Sequence, residues 1–374
     1  MKTHVIDRNR LQSFLGYAPG IVFIVFVSVV ALMATRNYLS YKTDAKADWV
    51  TGEQASLFEQ YYDDRLPIKD IGINSWALVD YLVFKEGREG VVVAHDDWLY
   101  TQEEFKRYLG SDNYTQENET VVLAVNNLLK RNNVELLMLP LPDKARVYPE
   151  FVPWKKRSEI KSDRYNDFIG WMGQEQINHI STLHKLVESK QEKHTFLRTD
   201  THWTAWGAMK VAELLALNVR AEWPHLADDK SYTYVKEKEL LYTGDLMDFI
   251  PLGDYLSWIG PPPEYINIYK TEVASSDAEL DLFGDSELPS IALVGTSYSA
   301  NKTWHFSGFI QSLLNADVLN VSKEGRGPLE PMVDYLTSKD FEEHKPELIL
   351  WEFPERYLPM ATSLAVYDWA REIN

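Results

Sequence analysis

No cysteine occurs among the 374 residues. That removes disulfides, thiolate nucleophiles and cysteine-ligated zinc, while leaving the compartment open. Basic residues are scarce, with 38 Lys and Arg against 56 Asp and Glu, for a net charge of -18. Nucleic-acid binding needs basic surface to displace counterions, so no nucleic-acid partner is expected. Histidines number nine. Apart from His202 they form no H-E-x-x-H or comparable cluster, so no metal site and no cofactor are expected. Internal repeats and low-complexity stretches are also missing.

Apolar side chains are plentiful. Hydrophobic residues make up 45% of the chain and aromatics 13%, ample for a sizeable core. One long run, Phe14 to Ala34, lacks any charge and at about 20 residues is long enough to span a bilayer. Lys2, Arg8 and Arg10 precede it, and Arg36, Lys42 and Lys46 follow. It exceeds the ~7–15 apolar residues of a signal peptide and no A-x-A-like site follows it, so an uncleaved signal anchor is expected. The predicted organisation is a cytoplasmic N-terminus (1–13), a transmembrane anchor (14–34), a linker (35–50) and one exported domain (51–374). Exporting a long acidic domain meets little resistance, which favours this orientation.

Residues 52–87 read as helical, broken at Pro67. Residues 90–94 and 96–100 read as a hairpin. A helix is expected at 117–132, then a nearly continuous apolar strand at 135–140, as in a strand covered on both faces. Helical patterning over 163–188, with Gly170 and Gly173 as points of interruption, leads to an expected strand at 195–200 and a helix at about 204–220. Residues 221–288 are irregular and read as a long excursion with a small hairpin. Three strand–helix units follow: strand 291–294 with a helix through 314, strand 318–321 with a helix through 336, and strand 348–351 with a C-terminal helix. The alternation predicts an α/β fold, a parallel sheet with helices on both faces. Sites in such sheets lie at the carboxyl ends of the strands. That edge would gather Pro140, Asp143, Lys144, Asp200, His202, Ser297, Gly325, Gly327 and Glu352.

Asp200 and His202 stand two apart on one turn, so the Asp can accept from one imidazole nitrogen and leave the other as a base. A nucleophile is available in Val294-Gly-Thr-Ser297, where an apolar strand runs through Gly-x-Ser into a helical pattern. Ser299 stands where a nucleophile elbow would have its second Gly, so an α/β-hydrolase is not expected. Ser286, in Gly284-Asp-Ser286, follows a polar acidic run instead of a strand and is set aside. Gly325 and Gly327, flanking Arg326, are candidates to present backbone N–H groups to an oxyanion. Tyr298, Lys144, Glu352 and Arg356 are further oxyanion or substrate-binding candidates, although Glu352 and Arg356 can equally pair with each other.

These segments resemble the alginate O-acetyltransferases of the AlgX and AlgJ type, a branch of the SGNH-hydrolase-like superfamily. The match is carried by Arg198 to Thr204 with Gly207, and by Val294 to Ser299. Pro142 to Tyr148, Gly244 to Leu246, Glu324 to Pro328 and Trp351 to Tyr357 support it. The resemblance implies an SGNH-like fold and a Ser297–His202–Asp200 triad. It also implies an acetyl donor that is a membrane-bound O-acyltransferase and an exopolysaccharide acceptor, with the catalytic domain anchored in the bacterial inner membrane and facing the periplasm. The same residues would serve a deacetylase with water as acceptor. A non-catalytic polysaccharide-binding scaffold is the third reading. The polymer stays open, since the net charge would repel alginate unless a local groove of Lys and Arg overrode it, whereas a neutral cellulose-like glucan meets no such barrier.

Overall fold

The structure, a computed structural model, describes residues 8–43, 47–66, 68–159, 163–253, 256–273 and 288–373. It divides into two units, residues 1–84 with 251–256, and residues 85–250 with 257–374.

The first unit is helical. Arg8–Ser40 forms one helix with Pro19 inside it, and its side chains from Ile21 to Val27 are all exposed. The expected anchor falls on this helix, parts of which lie outside the described side chains. Among the described residues no helix is long and apolar enough to cross a membrane. Helices Glu53–Asp64 and Lys69–Val79 follow, the second running into a π-helical turn, Asp80–Phe84. Pro67, the expected break, lies outside the described residues.

The second unit is built on strands β1 (Val91–Val93), β2 (Leu99–Thr101), β3 (Glu135–Leu141), β4 (Tyr232–Tyr242), β5 (Glu264–Val273), β6 (Ile291–Val294), β7 (Val318–Asn320) and β8 (Leu348–Pro354). β1 and β2 make the expected antiparallel hairpin. β3, β8, β6 and β7 form, in that order, a parallel sheet. Side chains alternate across it. Leu137, Leu139, Leu293 and Leu350 pack toward helices Ala205–Glu222 and Phe306–Leu314. Met138, Val294, Ile349 and Trp351 pack toward Ser111–Arg131, Arg164–Gln174, Leu329–Leu336 and Leu364–Ile373. The continuous apolar runs of β3 and β8 follow from this double cover. Each fully buried side chain of Leu size adds roughly 1.5–3 kcal/mol.

Register then sets the working edge. Leu139 pairs with Glu352, and Val294 with Trp351, so Glu352 on β8 stands beside the chain leaving β6.

Four expectations need correction. Residues 195–200 are not a strand. The chain folds back on itself, with one bridge between Phe196 and Trp203, and the Thr204 N–H donates to the Thr195 carbonyl at 2.9 Å. Leu197 N–H donates to the His202 carbonyl across the same turn, and further donors go to side chains: Thr195 N–H to the Tyr148 hydroxyl, and Arg198 and Thr199 N–H to the Glu264 carboxylate. No sheet neighbour is then needed. The hairpin in 221–288 is long, not small: β4 and β5 pair along nearly their whole length, with an irregularity between Lys236 and Lys238. Residues 274–287 lie outside the description. The helix expected from β6 through Leu314 is two pieces, Ser297–Ala300 and Phe306–Leu314, divided where His305 takes a positive φ of 57°. The helical stretch 163–188 is likewise two helices, Arg164–Gln174 and Leu183–Ser189, with the first running through Gly170 and Gly173 and the break falling after them.

Candidate active site

The loop bearing Asp200 is anchored from below by a buried cation. Lys144 follows β3 at the start of a short helical turn, and its Nζ donates to the carbonyls of Leu99 (2.6 Å), Arg198 (2.9 Å) and Asp200 (2.9 Å). Burial pushes this ammonium down to about 8, with Glu104 and Asp200 pulling the other way. All three of its protons are used on backbone, so the expected substrate contact for Lys144 is corrected to a structural one.

From the other side, β4 ends at Tyr242 and the chain enters Gly244-Asp-Leu246. A Cβ on Gly244 would lie 2.1 Å from the Thr199 carbonyl oxygen, so only glycine permits this approach. The approach has a purpose. The Tyr242 hydroxyl and the Asp245 N–H both donate to Asp200 Oδ2, at 2.8 and 3.0 Å. Asp200 Oδ1 accepts from the N–H of His202 at 2.8 Å and meets its Nδ1 at 2.7 Å. Burial alone would raise the Asp200 carboxyl. The hydrogen bond from His202, its charge and the Asp245 and His202 amides outweigh burial and hold the carboxyl at about 2. Asp200 is therefore an anion at neutral pH, and the imidazole is fixed with Nδ1 facing it.

The serine comes from the edge of β6. Thr296 heads the turn Ser297–Ala300, its Oγ1 accepting from the Tyr298 N–H. Buried Glu352 holds this turn: its carboxylate accepts from the Thr296 N–H (2.7 Å), the Thr296 hydroxyl (3.0 Å) and the Ser299 hydroxyl (3.0 Å). Burial raises the Glu352 pKa and these hydrogen bonds pull it back. In this position Ser297 Oγ lies 2.6 Å from His202 Nε2. Trp304 is buried and lies nearly parallel to the imidazole, with ring centroids 5.5 Å apart. Asp, His and Ser thus form one hydrogen-bonded line. Such a line can deprotonate the hydroxyl and stabilise the imidazolium that results.

The other candidates are placed differently. Tyr298 is buried; its hydroxyl donates to the Thr201 carbonyl and accepts from Arg356. Arg356 pairs with Glu103 at 3.2 Å instead of Glu352. Arg326 points to Glu330 at 2.9 Å and is half exposed. Gly325 and Gly327 both take positive φ, 71° and 63°, in a loop that starts where Lys323 N–H donates to the Gly295 carbonyl. Asp143 pairs with Arg164 at 3.9 Å and donates its N–H to Glu355. The helix after Ser297 has only four residues, so its dipole is small, and stabilisation of an oxyanion there rests on individual N–H groups. Ser286 lies outside the described residues.

Sequence reasoning missed Tyr242, Glu264, Trp304 and the role of Glu352. Asp245 was marked only by the Gly-Asp-Leu pattern. It adds a second carboxylate 3.7 Å from Nδ1, while its Oδ1 accepts from the Thr201 N–H.

Comparison with known proteins places the chain in a family. Residues 91–355 match the family described as SGNH hydrolase-like domain, acetyltransferase AlgX. The chain is 40% identical to the Pseudomonas aeruginosa protein named "Probable alginate O-acetylase AlgJ", over 91% of this chain and 89% of that one. Its Azotobacter vinelandii counterpart of the same name is 37% identical over 92% and 90%. Among solved structures, the O-acetyltransferase domain of Pseudomonas putida AlgJ superposes with a TM-score of 0.69 at 34% identity, covering 76% of this chain and 99% of that domain. The chain belongs to the SGNH hydrolase-like acetyltransferase family of AlgX and AlgJ, and is an O-acetyltransferase by class.

Proposed function

We propose that the protein moves acetyl groups through Ser297 onto hydroxyls of an exported polysaccharide of the alginate type. The observation that carries this reading is the unbroken line Asp200–His202–Ser297, with contacts of 2.7 and 2.6 Å. Ser297 Oγ attacks the carbonyl carbon of an acetyl donor while His202 Nε2 takes its proton. The tetrahedral intermediate collapses, the donor's leaving group departs with that proton, and an acetyl-serine ester remains. A sugar hydroxyl then gives its proton to His202 and attacks the ester, and the serine oxygen leaves with the proton. Asp200 holds the imidazole through both steps and offsets its positive charge.

A membrane-bound O-acyltransferase supplies the acetyl group in this reading. The apolar stretch 14–34 anchors the chain in the inner membrane, with the domain from residue 51 in the periplasm. A reporter fused at the C-terminus that worked only in the cytoplasm would end that topology.

The chemical test uses an activated acetyl ester. Brief incubation should add one acetyl mass to the peptide containing Ser297, and Ser297→Ala should abolish both the adduct and polymer acetylation. Added oligomannuronate should speed loss of the adduct and gain acetyl groups. Free acetate alone, released at one rate with every sugar, would make the protein an esterase.

A further inference from the structure

The chain after Ser297 departs from its expected helix, and the departure places an aromatic ring. In an unbroken helix residue 304 would fall two turns beyond Ser297, about 10 Å along the axis. Instead the turn Ser297–Ala300 stops, the Trp304 N–H donates to the Asn301 carbonyl at 3.2 Å, and the next helix starts only at Phe306. His305 bridges the two with a positive φ of 57°, a conformation uncommon outside glycine. Thr271 of β5 pins it there, with Oγ1 2.9 Å from His305 Nε2. The Trp304 indole is thereby turned back onto His202, with ring centroids 5.5 Å apart and planes inclined by 26°.

Two features set this ring apart from ordinary core packing. Trp304 Nε1 is buried and, among the described residues, has no hydrogen-bond partner. A buried N–H without an acceptor opposes burial, and a phenyl ring in the same place would carry no such group. What the indole has over phenyl is the stronger π face. The second feature is the set of neighbours. His202 has another aromatic contact, Tyr298 at 5.0 Å, but that ring is tilted by 56° and already has the Arg356 guanidinium 5.4 Å from its centroid. Tyr242 meets Trp304 at 87°, 5.7 Å away, and the same tyrosine donates to Asp200 Oδ2. One set of contacts thus ties indole, imidazole and carboxylate together.

Acyl transfer makes His202 a cation twice, once when Nε2 takes the Ser297 proton and once when it takes the acceptor's. Asp200 offsets that charge at the Nδ1 edge of the ring. The faces of the ring need other partners, and with the side chain only 12% exposed, water supplies little there. A cation within about 6 Å of an aromatic centroid is attracted by the ring quadrupole, the more so when desolvated. Resting on the acyl-transfer reading of Ser297, we propose that Trp304 is a positioning residue. Its face keeps the imidazole aligned between Asp200 and Ser297, and it stabilises the imidazolium in both half-reactions.

Ring electronics test this apart from packing. The full chain, in detergent, receives tryptophan analogues carrying one, two or three ring fluorines at position 304 by nonsense suppression. Fluorine drains the π face and barely changes its shape. Burst kinetics with para-nitrophenyl acetate give the acylation rate, and the steady state after the burst gives deacylation. Both rates should fall stepwise with each fluorine, reaching roughly tenfold for the trifluoro ring, with the denaturation midpoint unchanged. Because both steps slow together, KM should stay where it is. Trp304→Leu should lose at least as much, and Trp304→Phe should recover part of the loss. Rates that ignore fluorination while Trp304→Leu loses activity would leave Trp304 a packing residue and overturn the proposal. Slowing of acylation alone would overturn it too, since the cation forms in both steps. If acetyl-Ser297 forms at a rate independent of fluorination, the acyl-transfer reading stands and the role of Trp304 falls. If no acetyl-Ser297 forms but ester turnover follows the fluorine series, the stacking stands and the covalent reading falls.

Discussion

Gly295→Ala tests how Ser297, the proposed nucleophile, is held. A Cβ at this position would lie 2.4 Å from Glu352 Oε2, 2.8 Å from its Cβ and 3.1 Å from its Cδ. An ordinary contact begins near 3.4 Å, so the carboxylate or the turn must move by about 1 Å. Glu352 is not free to swing away, because the Thr296 N–H and hydroxyl and the Ser299 hydroxyl all donate to it. Two costs follow. Overpacking of this kind destabilises by about 1–3 kcal/mol. A shift of about 1 Å in a reacting group lowers rate by about a hundredfold, and Ser297 sits on the turn that must move. The assay is turnover of a chromogenic acetyl ester alongside denaturant unfolding. The expected result is a fall in kcat of about two orders of magnitude, with KM little changed and a moderate loss of stability. A variant with wild-type kcat would refute the claim that Glu352 and Gly295 jointly position Ser297. If it simply fails to fold, Ser299→Ala removes one of the three donors without overpacking and should still lower kcat, by less.

Lys144→Met removes a shared donor from the carbonyls of Leu99, Arg198 and Asp200, of which Arg198 keeps the Leu99 N–H, and should destabilise the second unit by about 2–4 kcal/mol, read as a lowered denaturation midpoint. An unchanged midpoint would mean that the ammonium anchors nothing. Asp200 is held at about 2 against an ordinary 3.8, so its stabilisation is present above about pH 4 and lost as pH falls through 2. Its share is about 2 kcal/mol, so Asp200→Asn should flatten the stability profile between pH 4 and 2; an unaltered slope there would contradict it. Tyr242→Phe removes one donor to Asp200 Oδ2 and should lower kcat roughly tenfold without altering KM. A raised KM with kcat unchanged would place Tyr242 in substrate binding instead.

How much of this was legible in the sequence depends on the range of each interaction. The run at 135–140 announced a strand covered on both faces, because double burial leaves no room for alternation, and the strand found there is 135–141; the strand expected at 348–351 extends to 354. Asp200 and His202 could be paired from sequence because two residues on one turn are always close. Ser297 could be placed on the same edge because strand ends in a parallel sheet share a side. The expected strand at 195–200 was wrong for a related reason: its apolar, β-branched pattern reports burial, and here the buried backbone is satisfied by its own turn, by Tyr148, Glu264 and Lys144, and by one bond from Leu99 of β2 instead of a continuous ladder.

The sequence by itself determined the α/β class, the strands of the parallel sheet and the candidate trio Asp200, His202 and Ser297, since each is a local pattern or a spacing along the chain. Only the tertiary structure decided the rest. Lys144 follows β3 as expected, whereas Glu352 lies inside β8 instead of after it, and Arg356 follows β8; all three turn inward to backbone or buried partners, because a charge shut away from water must find partners wherever the packing puts them. Tyr242 and Asp245 reach Asp200 from more than forty residues away along the chain, and Gly244 makes room for them. No spacing along the chain encodes that meeting. It exists because the β4–β5 excursion folds back onto the 198–200 loop, and only packing in three dimensions sets where it lands.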